Sequence, residues 1–189
     1  MSQLNTDSRL AKRVSRIGLS MTVRIAQRAR ELQAHGKKII NMGAGELDFD
    51  TPVNIQVGAI KAILAGQTRY TNVGGTAALA EAVKGKFQRD NNLDYQLNQI
   101  IAGTGAKQLL FNALQATVDE KDEVIIPAPY WVSYPDMVKL ADGTPVIVKT
   151  TADDGFKITP ALLRSALTPQ SKWLLLNSPG NPTGAVYSR

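Results

Sequence analysis

Along the first half of the chain, apolar residues recur at three- and four-residue spacing, the pattern of helices with one packed face. Val14, Ile17, Met21, Ile25, Ala29 and Leu32 make the first stripe. It stops at His35-Gly36, where glycine suits the left-handed residue after a helix and an imidazolium favours the negative end of the dipole. His35 is therefore read as a cap-region residue rather than a catalytic base. The apolar run Ile39-Ile40-Asn41-Met42 then leads into Gly43-Ala44-Gly45-Glu46. Thr51-Pro52 offers an N-cap and a first-turn proline to a helix carrying Val53, Val57, Ile60 and Leu64, closed by Gly66. Thr76 caps a third, with Leu79, Val83 and Phe87 on one side and an end near Asn91-Asn92.

Beyond Asn92 short apolar runs alternate with helices. Ile100-Ile101-Ala102 reads as a strand that enters Gly103-Thr104-Gly105-Ala106-Lys107 and at once a helix with Leu110, Ala113, Leu114 and Val118. Val124–Pro127, Pro145–Val148 and Trp173–Leu176 read as further strands. Helices fall around Met137–Ala141 and after Thr159-Pro160, the latter with Leu162, Leu163 and Leu167. Apolar runs this short, alternating with helices, predict an α/β fold: a mostly parallel sheet covered on both faces, a three-layer α/β/α arrangement.

Composition narrows the function. The 189 residues are 43% hydrophobic and 20% charged, a globular balance without repeats or low-complexity tracts. Zero Cys removes disulfides, iron–sulfur clusters and thiol nucleophiles and suits a cytoplasmic protein, while a single His leaves little for a metal site. No apolar run approaches the roughly 18 residues of a membrane span, and the basic N-terminus lacks the apolar core of a secretory signal. Residues 1–38 hold nine Lys and Arg against Asp7 and Glu31, whereas the remainder is near neutral despite the net charge of +6. The apolar stripe running through that basic stretch favours a solvated helix face over a nucleic-acid-binding arm.

Gly103-Thr104-Gly105-Ala106-Lys107, between a strand and a helix, presents backbone N–H groups and a helix dipole to an anion. It matches neither G-x-G-x-x-G, whose third Gly falls on Gln108, nor a Walker A loop, and remains either a phosphate site or a tight strand-to-helix turn. Tyr130-Trp131, after two prolines, packs or faces the same rim. Asn177-Ser178-Pro179-Gly180-Asn181-Pro182-Thr183-Gly184 presents an amide rigidly beyond a strand, where ligands of parallel sheets bind.

Taken in order, Gly45–Pro52, Thr68-Arg69-Tyr70, Gly105-Ala106-Lys107-Gln108, Pro129–Tyr134 and Ser178–Gly184 resemble the fold-type-I pyridoxal-phosphate aminotransferases, the bacterial aspartate aminotransferases above all. The resemblance runs from about Ser15 to the end of the chain, with Leu47 in place of the usual Pro and Ala106 in place of a frequent Gly. It implies that Gly105, Ala106 and Lys107 lie at the phosphate of pyridoxal 5'-phosphate. Trp131 would stack on the pyridine ring, and Asn181 would donate to its phenolic oxygen. Tyr70 would reach the phosphate of a partner subunit in a homodimer. Gly45 would approach the substrate α-carboxylate, with Trp131 and Asn181 beside the substrate. Lys107 and Thr22 would meet a distal carboxylate, pointing to aspartate or glutamate as amino donor and a 2-oxo acid as acceptor. Residues 1–48 would belong to the family's small domain and 49–189 to the first part of its cofactor-binding large domain.

The same resemblance places the lysine that bonds the cofactor, the acidic partner of the pyridine nitrogen and the arginine for the α-carboxylate after Asn-Pro-Thr-Gly. None of the twelve lysines of this chain is assigned the catalytic role, and the chain reads as the N-terminal part of such an enzyme, inactive alone. The competing expectations are an aminotransferase for aromatic or other amino acids or a synthase of the same fold, a non-catalytic phosphate-binding fragment, and a nucleotide-binding regulator. Neither nucleic acid nor a membrane is expected as a partner.

Overall fold

A computed structural model of the chain describes residues 10–18, 20–43, 45 and 47–188. Helices α1 (Met21–Ala34), α2 (Val53–Leu64), α3 (Ala77–Asn91), α4 (Ala106–Thr117), α5 (Tyr134–Leu140) and α6 (Pro160–Ala166) accompany strands β1 (Glu123–Ala128), β2 (Thr144–Lys149) and β3 (Ser171–Leu174). They fall into two compact units: the described residues of Met1–Ala44 together with Phe111–Arg189, and those of Gly45–Leu110. The boundary falls inside α4.

The first unit holds the sheet, ordered β2-β1-β3 and parallel throughout. Glu123 pairs with Thr144 on one side and Ser171 on the other, with an irregularity before Val124 meets Trp173. Val124, Ile125 and Ile126 are at most 1% exposed. Successive strand residues point to opposite faces, so both faces of β1 are covered, as its unbroken apolar run requires. α5 packs on β1 and β2, and α6 on β2. Leu114 and Val118 of the α4 segment, with Met137 and Val138 of α5, complete this core. The turn Lys12–Arg16 meets α5 and is tied by an ion pair from Arg16 Nη1 to Asp142 Oδ1.

In the second unit Thr76 caps α3 through the Leu79 amide at 3.2 Å, and Asn92 closes it in the left-handed region. The stripe on α2 is exposed, Val53 at 72% and Leu64 at 81%. All the buried hydrophobic side chains among the described residues belong to the sheet-bearing unit.

The parallel α/β class stands as expected, and several boundaries move. The first stripe is not one helix: a short 3-10 turn, Lys12–Arg16, precedes α1, whose covered side is Thr22, Ala26, Ala29 and Leu32, while Met21 and Ile25 are exposed. His35 closes α1 with its Nδ1 at 2.7 Å from the Glu31 carbonyl oxygen, as a cap-region residue should. Pro52, not Thr51, is the N-cap of α2. Ile100-Ile101-Ala102 is extended but not a strand: within its unit, the Ala102 amide donates to the Gly74 carbonyl at 2.9 Å, and a strand requires a neighbour along its length. β3 begins at Ser171 and ends at Leu174, two residues early at each end. The ladder continues by one bond, from the Leu175 amide to the Ile125 carbonyl at 2.9 Å.

Candidate active site

Parallel strands end on one edge, so the segments that leave β1 at Ala128 and β3 at Leu174 share a rim. After β1, Pro129-Tyr130-Trp131 turns into α5, and the half-buried Trp131 ring meets Tyr134 edge-on, with centroids 5.4 Å apart. This contact presets the orientation of the indole. Burial of Tyr134 pushes its phenol above the ordinary 10.0.

After β3 the chain closes on itself. The Asn177 Oδ1 accepts from the Asn181 amide at 2.8 Å, Gly184 N–H donates to the Gly180 carbonyl at 2.7 Å, and Gly180 N–H to the Ala185 carbonyl at 2.8 Å. Ser178 Oγ accepts from the Tyr187 amide, and the Tyr187 hydroxyl accepts from the Ile158 amide at 2.9 Å, tying the loop to the segment before α6. Ser178-Pro179 and Asn181-Pro182 are both cis, and Asn181 is exposed on the loop held by these bonds. Tyr130, Asn177, Asn181 and Tyr187 border a small pocket of about 30 Å³, room for little more than one water. It is a packing seam under the rim and cannot enclose a cofactor.

The glycine turn lies in the other unit. Gly105, at φ +97°, needs glycine, and a Cβ there would meet nothing within 4 Å, so the turn is open to approach. Ala106 and Lys107 open α4, both exposed. Gln108 was not among the residues singled out for chemistry, yet its Oε1 accepts from both the Thr104 amide, at 2.7 Å, and the Thr104 hydroxyl, at 2.8 Å. Asn177 was likewise missed in that role.

Gly45 is exposed with open space around its Cα, and Tyr70 is fully exposed. Both lie with Gly105, Ala106 and Lys107 in the Gly45–Leu110 unit, whereas Thr22, Trp131 and Asn181 belong to the sheet-bearing unit. Thr22, in the first turn of α1, is half-buried, its Oγ1 2.7 Å from Ser20 Oγ. Among the described residues no cluster of His, Asp and Glu could hold a metal ion, and no helix is long and apolar enough to cross a membrane.

A parallel sheet with a rigid Asn-Pro rim loop, and a glycine turn feeding a helix, are features of a known enzyme class. Residues 37–189 match the family model of the class I and II aminotransferases, and the chain belongs to that family. It is 54% identical over 180 residues to the aspartate/prephenate aminotransferase of Cereibacter sphaeroides, covering 95% of this chain and 45% of that protein. To the aspartate aminotransferase of Rhizobium meliloti strain 1021 it is 49% identical over 178 residues, covering 94% and 43%. The crystal structure of the aspartate aminotransferase from Rhizobium meliloti matches with a TM-score of 0.92 at 49% identity, over 95% of this chain and 45% of that one. The Thermus thermophilus aspartate aminotransferase with maleate matches at 0.90 and 44%, over 95% and 47%. The chain thus spans about half the length of the curated relatives it matches.

Proposed function

We propose that the protein to which this chain belongs is a cytoplasmic, homodimeric aminotransferase that uses pyridoxal 5'-phosphate to move an amino group from aspartate or glutamate to a 2-oxo acid. The observation that carries this reading is the glycine turn delivered to the start of α4. An open, left-handed Gly105 followed by the first amides of a twelve-residue helix suits a phosphate dianion. The rim residues fit the rest of the group, a flat indole and a rigidly held carboxamide being suited to an aromatic ring with a phenolic oxygen. When bound, the cofactor supplies an electron sink for breaking the bond from the α-carbon to its hydrogen.

The chain's own residues bind and orient. Gly105, Ala106 and Lys107 hold the phosphate, Trp131 covers the ring, and the Asn181 amide donates to the phenolic oxygen. Gly45 brings backbone to the α-carboxylate. The exposed Tyr70 reaches the phosphate held by a neighbouring subunit. Lys107 and Thr22 receive the distal carboxylate. Residues 1–48 join the small domain of the whole protein and 49–189 its large domain, while the proton-transferring lysine belongs to sequence after the Asn-Pro-Thr-Gly motif. The relatives' names support a dicarboxylic substrate, since aspartate, maleate and prephenate each carry two carboxylates.

The test is selectivity in the full-length protein. Lys107→Ala is expected to lower kcat/KM for aspartate about ten- to hundredfold more than for phenylalanine, the value of a charge-assisted hydrogen bond of roughly 1.5–3 kcal/mol. An equal loss for both substrates would remove Lys107 from the distal carboxylate.

A further inference from the structure

We propose that Gln108 is the positioning residue of the phosphate turn. Its carboxamide oxygen, by accepting both donors of Thr104, holds Gly103-Thr104-Gly105 in the shape that sets the first turn of α4 against the phosphate. This deepens the reading above and rests on it.

Two short bonds converge on one atom, since Gln108 Oε1 receives the Thr104 amide at 2.7 Å and the Thr104 hydroxyl at 2.8 Å. Gly103 admits that contact. A Cβ on Gly103 would stand 2.7 Å from Leu109 Cδ2 and 3.0 Å from Gln108 Oε1, so a side chain there would push the Leu109 and Gln108 side chains from their places. The Gly105 amide bonds back to the Gly103 carbonyl at 2.9 Å, closing the turn from its other end. Both ends are thereby fixed, and Gly105 is left as the one residue of the turn in the left-handed region.

The chemistry of the side chain suits the task. From the first turn of α4 a glutamine is long enough to reach back four residues, as in a capping interaction. It is an acceptor, which lysine and arginine are not, and it is neutral. A glutamate would accept equally well but would set a negative charge beside a dianion. Leucine or methionine would fill the space and leave both Thr104 donors to water. Loosening the turn spreads the amides over several orientations, and the fraction arranged for the phosphate falls.

The experiment measures equilibrium affinity of the full-length apoprotein for pyridoxal 5'-phosphate and for pyridoxal, which lacks the phosphate. The ratio of the two affinities isolates the phosphate's share. Gln108→Leu is expected to lower that ratio roughly tenfold, the equivalent of about 1.4 kcal/mol, while affinity for pyridoxal holds. Gln108→Glu is expected to keep the Thr104 amide slow in hydrogen exchange, because the acceptor is restored, yet to lower the ratio through its charge. Should Gln108→Leu fail to fold, Thr104→Val removes the hydroxyl donor alone and is expected to lower the same ratio by roughly threefold. A high ratio in the parent protein that Gln108→Leu and Thr104→Val leave unchanged would overturn the positioning role and spare the phosphate reading. An equal fall for both ligands would show a general structural role and overturn it as well. A ratio near unity in the parent protein would overturn the phosphate reading itself.

Discussion

Gly143 marks how tightly the core of the sheet-bearing unit is drawn. A Cβ there would stand 2.5 Å from Cγ1 of the buried Val118 and 3.3 Å from the Asp122 backbone carbonyl oxygen. Gly143→Ala is expected to cost about 1–3 kcal/mol, read as a lower urea midpoint at unchanged slope. An unaltered midpoint would show that the turn gives way freely. Close by, the Lys172 ammonium donates to Asp122 Oδ2 at 2.7 Å, and this bond, followed by that from the Asp119 amide, holds the Asp122 carboxyl below its ordinary 3.8. A depressed folded value contributes stability above the unfolded value, and the contribution disappears as pH falls through the folded one. Lys172→Met is therefore expected to be less stable than the parent at neutral pH and indistinguishable from it once Asp122 is protonated. A difference that persists in acid would assign the effect to the lysine's stem instead. At this scale the rigid presentation of Asn181 was legible in its flanking Pro and Gly. Asn177 and Gln108, which secure their turns, were not, because an exposed amide finds its partner only after the backbone torsions are set.

At the level of elements the caps of α3 and α6 were legible because their cause is local, whereas Thr51 does not cap α2. Thr76 and Thr159 each accept the amide three residues on, from Leu79 and Leu162 at 3.2 Å, as their sequence context indicates. Thr159→Ala is expected to lower stability by about 1 kcal/mol, measured by denaturant unfolding. A negligible change would mean that Pro160 alone fixes the start of α6. Strands were legible only where their partners lie near in the fold. β1 and β2 run where their apolar residues put them, since the crossover through α5 sets β2 beside β1. Ile100-Ile101-Ala102 has the composition of a strand, but its unit offers it the Gly74 carbonyl and no ladder. The α1 stripe holds at Ala29 and Leu32, while in the first turns Thr22 and Ala26 are covered in place of Met21 and Ile25, and Val14 and Ile17 precede the helix.

At the scale of the whole chain, the buried hydrophobic side chains among the described residues lie in one unit, and α2 of the other carries Val53, Ile60 and Leu64 each more than half exposed. Covering a side chain of this size contributes roughly 1.5–3 kcal/mol. The 189 residues expressed alone are therefore expected to bind the dye ANS far more strongly than the full-length protein, and equal binding would contradict this. The family was legible in five short motifs in one order, although each motif alone admits a structural reading. The proposed function makes this chain the cofactor and substrate side of an aminotransferase for dicarboxylic amino acids. Its most direct test is a single turnover of the full-length protein, loaded with pyridoxal 5'-phosphate and mixed with L-aspartate in the absence of any 2-oxo acid. Oxaloacetate released stoichiometrically with the bound cofactor, and much faster than phenylpyruvate from phenylalanine, is the predicted result. Release of carbon dioxide without oxaloacetate, or a faster turnover with phenylalanine, would contradict the account.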